Sequence, residues 1–292
     1  MNELLQAVWG GLLSGSVYGL MAIGLTLIWG AMRLLNLAHG ALYVVGAYGA
    51  WAVLEVAMLP LAVAIPAAVL TAATLGYAMH ALVIRPMLGR LGWDSASIIA
   101  TVGIAIALQA AILLIFGPTV KQIPPVVSGS VIVGTVRIGY QGLVIVAVAA
   151  VTLTTLYVYL RSSRQGLAIR AVSQQMDAAA LMGVSVERTY AIVMMISAGL
   201  AGLAGVLLSS IFFLSPTSGQ TPMIIALLVT IFGGLGSVKG TIVAAYLIGL
   251  FESSVQVYVG SRFALPGLFL FMIAVLIVRP NGLFGLPETQ RL

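Results

Sequence analysis

Few side chains in this sequence could do chemistry, so their positions carry weight. Asn36, His39 and Gly40 stand together in "RLLNLAHGALYVVGAY" (33–48), between two hydrophobic runs, and His39 is one of two histidines in the chain. Asn and Gly interrupt helices, and an Asn–His pair can hydrogen-bond the backbone groups that an interruption sets free. Glu55 and Glu252 are the acids clearly inside apolar runs, and Glu252 heads a polar stretch of Ser253, Ser254 and Gln256. An ionisable group inside such a run is costly and marks a functional candidate. Both acids are expected near helix ends, where the side chain can snorkel out or meet a partner. His80, close to Arg85, reads as a capping or interfacial residue. No cluster of His, Asp and Glu has metal-ligand spacing, so no metal is expected, and no nucleophile–base–acid set is visible. "GGLGSVKG" (233–240) has glycines and a lysine at the wrong spacing for a phosphate-binding loop. With no cysteine, thiolate and disulfide chemistry are excluded.

The elements that must position these residues are membrane helices. Of 292 residues, 61% are hydrophobic and 7% charged, and the mean hydropathy is +1.16. A soluble domain carries about 25% charged residues, so this chain cannot cover a water-facing surface. The apolar runs are long, continuous and rich in Leu, Ala, Val and Gly, which predicts helices rather than barrel strands. They read as 8–30, 41–58, 61–84, 96–116, 142–160, 189–214, 220–235, 238–258 and 264–279. The expected fold is an all-α polytopic membrane protein with about 8–9 transmembrane helices. One or more segments should be broken or re-entrant, because 41–58, 220–235 and 264–279 are short for a ~30 Å hydrocarbon core. The opening "MNELLQAVWGG" lacks the basic start of a cleavable leader, so the first helix is expected to stay.

The net charge of +6 does not point to nucleic acid, because the basic residues are scattered through loops without interleaved aromatics. They orient the chain instead. Arg33, Arg85, Arg90, Arg161, Arg164, Arg170, Arg188, Lys239, Arg279 and Arg291 fall on one side if the N-terminus is outside, against Lys121, Arg137 and Arg262 on the other. The segment 117–141 is then an external loop whose Pro, Gly and alternating Val/Ile suit a short hairpin or an extended cap. Gly11, Gly15 and Gly19 recur every four residues, as do Ala198/Gly202 and Ala201/Gly205, a spacing that lets helix backbones approach closely in lipid.

The inward loop 161–188 is too polar to cross a membrane and too long for a turn. Within it, "LAIRAVSQQMDAAALMGV" places Ile169, Val172, Met176, Ala180 and Met182–Gly183 against Arg170, Ser173, Gln174, Gln175 and Asp177. That pattern predicts a short amphipathic helix at the membrane surface. Its low charge and small residues favour docking into a partner's groove over lying on lipid.

This loop resembles the cytoplasmic coupling region of ABC importer permeases, and Asp177–Val184 is similar to the E/D-A-A-x-x-x-G element of the branched-chain amino acid (LivH-type) permeases. "LNLAHGALYVVGAYGAW", "VTIFGGLGSVKGTIVAAYLIGLFES" and "VRPNGLFG" are similar to three further blocks of that family, in the same order. The resemblance implies a single permease domain, 1–292, with 161–188 as its coupling loop. Arg170, Ala171, Gln174, Asp177, Ala178, Ala179, Ala180 and Gly183 would meet the ATPase. It also implies a second, LivM-like permease subunit, two LivG/LivF-like ATPase subunits that bind the ATP, a periplasmic substrate-binding protein and a bacterial inner membrane location. No cofactor is expected on this chain. Asn36, His39 and Gly40 are either a structural break or part of the translocation path, where a helix restarting at Gly40 would aim its positive end at a substrate carboxylate. Gly233, Gly234 and Glu252 are further path candidates. The chain departs from many relatives in two places: Ala41 follows the His-Gly pair where an acid is common, and "MIIALLVT" replaces a lysine-bearing stretch. Urea, short amides and aromatic or aliphatic acids are therefore alternative cargoes to branched-chain or other amino acids. An ATP-independent carrier is the reading from another class, and it lacks the inverted repeat and coupling acids it would need.

Overall fold

Backbone polar groups in hydrocarbon must be satisfied within the segment, and the apolar runs resolve accordingly into helices. The computed structural model describes residues 2–89, 92–134 and 136–285, so Arg90 and Arg291 lie outside the described residues. The helices are α1 (Asn2–Met32), α2 (His39–Glu55), α3 (Leu61–Met79), α4 (Trp93–Phe116), α5 (Tyr140–Ser162), α6 (Arg164–Gln174), α7 (Met176–Leu181), α8 (Val186–Ser209), α9 (Gln220–Gly233), α10 (Val238–Tyr258) and α11 (Ala264–Val278). A π turn, His80–Ile84, and a last turn, Arg85–Met87, extend α3. Pro86 has no N–H to return to the preceding turn, which accounts for the widening there.

Seven of these helices are long and apolar enough to cross a membrane. The last does so with the 3-10 turn Ser261–Phe263 included, so the apparent shortness of 264–279 does not make it re-entrant. Two others are short: α2 has 17 residues and α9 has 14. At 1.5 Å per residue they reach about 25 Å and 21 Å, less than the hydrocarbon thickness.

The central helix is α1, buried without interruption from Gly15 to Ile28. It packs on α10 through its glycine stripe: a methyl group at Gly15 would lie 2.9 Å from the Tyr246 Cα, and one at Gly249 would lie 2.6 Å from the Gly11 carbonyl oxygen. A second seam joins α2, α3 and α8. Gly46 meets the Gly202 backbone, Gly205 meets the Tyr43 carbonyl, and a methyl group at Gly202 would come within 2.8 Å of the Ala68 carbonyl oxygen. The small-residue spacing therefore does what close helix packing in lipid requires.

Loop contacts sort the ends into two faces. Strands β1 (Ser130–Val133) and β2 (Val136–Gly139) form an antiparallel hairpin in which Ser130 pairs with Gly139. This is the hairpin expected for 117–141. Lys121 and Leu214 exchange backbone hydrogen bonds of 2.8 and 2.9 Å, so the α8–α9 loop shares that face. On the opposite face the end of the chain is stitched to α9: the Leu283 N–H donates to the Phe232 carbonyl at 2.8 Å and the Phe284 N–H to that of Gly233 at 3.2 Å. Helices α6 and α7 lie on this second face.

Candidate functional site

The break after α1 begins at Arg33, whose φ of 54° is left-handed and ends the helix. Asn36 and His39 are both fully buried. Asn36 Oδ1 accepts the Ala38 N–H at 3.1 Å, just before α2 starts. His39 Nε2 donates to the Met21 carbonyl at 3.0 Å, crossing to the middle of α1. Thr101 of α4 closes the other side: the Leu37 N–H donates to its Oγ1 at 3.3 Å, and its hydroxyl donates to the Ile98 carbonyl at 3.0 Å. Three polar atoms here, Asn36 Nδ2, His39 Nδ1 and Ser197 Oγ, are buried without a hydrogen-bond partner among the described residues. Asn36 and His39 thus point into the packed interior and hold the break.

Gly40 does something else. Its backbone lies against Gly219, and a methyl group there would come within 2.8 Å of the Met223 Cβ. The starts of the two short helices, α2 and α9, therefore meet. An open cavity of about 230 Å³ lies beside this contact, between α2, α4, α9 and the 216–219 segment. Val44, Val102, Ile106 and Met223 give it an apolar wall, while Gln109, Thr217 and Gln220 supply polar groups. Among the described residues, no charged side chain lines it. Gln109, Thr217 and Gln220 were not singled out in the sequence. Gln109 had a readable signal, as an amide in the middle of the apolar run "IAIALQAAILLIF".

The other path candidates sit elsewhere. Glu252 is buried and its carboxylate is occupied: Tyr18 Oη donates to Oε2 at 2.7 Å and Gln256 Nε2 to Oε1 at 3.2 Å. It is not a snorkelling group, because α10 carries it against the middle of α1. Glu55 is exposed at the last residue of α2, as expected. Gly233 packs on the backbone of Gly240 and Thr241, and Gly234, at φ 97°, lies against Gly285. These glycines admit the terminal segment and do not line the cavity.

The inward loop is two helices rather than the single amphipathic helix expected within 167–184. The chain is extended at Gln175 (φ −156°, ψ 108°), and this ends α6 and starts α7. Ser163 caps α6, its Oγ accepting the Gly166 N–H at 2.8 Å. Ile169 and Val172 face inward. Of the coupling candidates, Arg170, Gln174, Asp177, Ala178, Ala180 and Gly183 are exposed, Ala171 is half-buried and Ala179 is buried. The tip is apolar: Leu181 is 88% and Met182 84% exposed, outside any membrane span. The Tyr190 hydroxyl donates to Met176 Sδ at 3.1 Å, and a 2.7 Å ion pair from Arg85 to Glu187 braces α8 against α3 beside the loop.

Comparison with known proteins agrees with this layout. Residues 8–278 match the family described as "Branched-chain amino acid transport system / permease component". The chain is 29% identical to the high-affinity branched-chain amino acid transport system permease protein LivH of Salmonella typhimurium, covering 98% of this chain and 97% of that protein. It is 30% identical, over the same shares, to the permease protein BraD of Pseudomonas aeruginosa. A probable LivH of Methanocaldococcus jannaschii is 27% identical across 94% of this chain and 91% of that protein. Among solved structures, a chain of PsaBC from Streptococcus pneumoniae in complex with Fab has a TM-score of 0.53 and 14% identity, over 96% of this chain and 93% of that one, a likeness of fold alone. With its helices, its inward loop and nearly its whole length matched, the chain belongs to the family of branched-chain amino acid transport system permease components.

Proposed function

We propose that this chain, 1–292, is one membrane half of a binding-protein-dependent ABC importer for branched-chain amino acids in a bacterial inner membrane. A second permease subunit would complete the path along the α4–α9 face. Two ATPase subunits would dock on the loop 161–188, and a periplasmic binding protein would deliver cargo to the face that carries the hairpin. The side with more Arg and Lys is taken as cytoplasmic.

One observation carries the coupling role: an apolar tip, Leu181 and Met182, projects from the inward face outside every candidate membrane span and is left uncovered by the rest of the described residues. Exposed large apolar groups at such a point mark a protein contact. The route from tip to cavity is short. Helix α7 leads through one turn into α8, and α8 meets α2 backbone to backbone at Gly202 and Gly205. A pull on α7 is thereby passed to the start of α2, where Gly40 and Ala41 edge the cavity. ATP biases the gate only if the ATPase contacts at this tip differ between the inward and outward states. The uncharged cavity suits an aliphatic side chain, and the positive ends of α2 and α9 favour a carboxylate. Weak, low-polarity contacts would let cargo leave.

The test is reconstitution with the partner subunits. The double variant Leu181→Asp/Met182→Asp is expected to lower transport and cargo-stimulated ATP hydrolysis at least about tenfold, since two desolvated apolar contacts become charges. Yield and thermal unfolding of the permease should be unchanged. Normal coupling in that variant would refute the assignment.

A further inference from the structure

A second cavity, of about 350 Å³, opens on the inward face between the ends of α1 and α5, the start of α10 and the side of α6. Three cations line it, Arg161, Arg170 and Lys239, and no carboxylate does. Arg170 Nη2 donates to the Arg161 carbonyl at 3.1 Å, which draws two of the cations together. Among the described residues, the ion pair that forms is Arg85–Glu187, so none of these three is neutralised by an acid. The deeper wall is apolar, from Leu27, Leu160, Ile169 and Val238 with the Tyr157 ring. The first turn of α10 adds a positive helix end.

We infer that this cavity binds the phosphate headgroup of an anionic phospholipid. An amphiphile matches both parts: the phosphodiester meets the cations and the acyl-bearing glycerol meets the apolar wall. Basic pockets at the ends of membrane helices take anionic headgroups in this way. A free phosphate would satisfy the cations and leave the apolar wall unused. The bound lipid would clamp α6, and through it α7, to the core made by α1, α5 and α10. The inference goes beyond the importer reading and draws on it only for the choice of leaflet, so binding is tested without any partner subunit.

The full-length chain in mild detergent is titrated with phosphatidylglycerol or phosphatidylcholine and followed by native mass spectrometry. Phosphatidylglycerol should bind at least about tenfold more tightly than phosphatidylcholine. Arg161→Gln/Lys239→Gln should weaken it about twenty-fivefold, at about fivefold per cation. The charge-conserving Arg161→Lys/Lys239→Arg should retain it. Equal binding of the two lipids, or no loss in the neutral variant, overturns the inference. Displacement of the lipid by millimolar inorganic phosphate also overturns it and assigns the cavity to a free anion. A headgroup-proximal photoreactive phosphatidylglycerol supplies a readout on the unaltered chain: labels within 157–173 and 236–239 support the site, and labels confined elsewhere sink it.

Discussion

At His39 one hydrogen bond to the Met21 carbonyl joins the start of α2 to the middle of α1. His39→Ala removes that bond and leaves a void where the buried imidazole stood, a loss of about 1–3 kcal/mol. Thermal unfolding in detergent should show the drop, and transport by the surviving folded protein should persist. Glu252 answers a different question, because its carboxylate accepts from Tyr18 and Gln256. Glu252→Gln keeps an acceptor for Tyr18 and should leave transport within about twofold, whereas Glu252→Leu strands the Tyr18 hydroxyl and should destabilise by about 1–3 kcal/mol. A large transport defect in a stable Glu252→Gln protein would return this residue to the path. The residue types at 36, 39 and 40 were enough to foresee a helix break. Which of them faces the cavity was not, because that depends on how α1, α4 and α9 close around the break. Gly40 reaches the cavity since Gly219, far along the chain, meets it.

The short helices carry the cavity and the inward loop carries the handle. Ala41 is half-buried on the cavity wall, so a large ring there should obstruct it without opening the core. Ala41→Trp is expected to reduce cargo uptake at least about tenfold while ATP hydrolysis continues, a split that uptake and phosphate-release assays on the same proteoliposomes would detect. Unimpaired uptake would place the path elsewhere. Hydropathy alone located the nine apolar helices found among the described residues, since length and polarity at the ends decide them. The division of α6 from α7 was hidden. Gln175 is neither Gly nor Pro, both flanks are good helix formers, and the extended backbone there is imposed by packing Ile169 and Val172 on one side and Ala179 on the other. That same burial makes Ala179 a poor probe of docking and Leu181 a good one.

For the molecule as a whole, orientation and close packing are what chemical probes read. The natural chain has no cysteine, so single cysteines report without background. With the hairpin face outward, Ser128→Cys should react with an impermeant maleimide on intact cells, and Met182→Cys should react only after the membrane is opened. The reverse pattern would invert the orientation. The α2–α3–α8 seam should tolerate no bulk: Gly46→Leu forces apart backbones that touch, and is expected to cost at least about 1–3 kcal/mol or to prevent folding, as monodispersity in detergent would reveal. The α1–α10 pairing has a consequence for biosynthesis. Ribosomes deliver α1 before α10, and Glu252 and Thr241, the bonding mates of Tyr18 and Thr26, arrive more than two hundred residues after them. Through most of translation α1 must wait in the bilayer with those hydroxyls provisionally matched. Insertion chaperones or quality-control proteases that survey polar groups in lipid would therefore judge this polypeptide by whether its late helix reaches its early one in time.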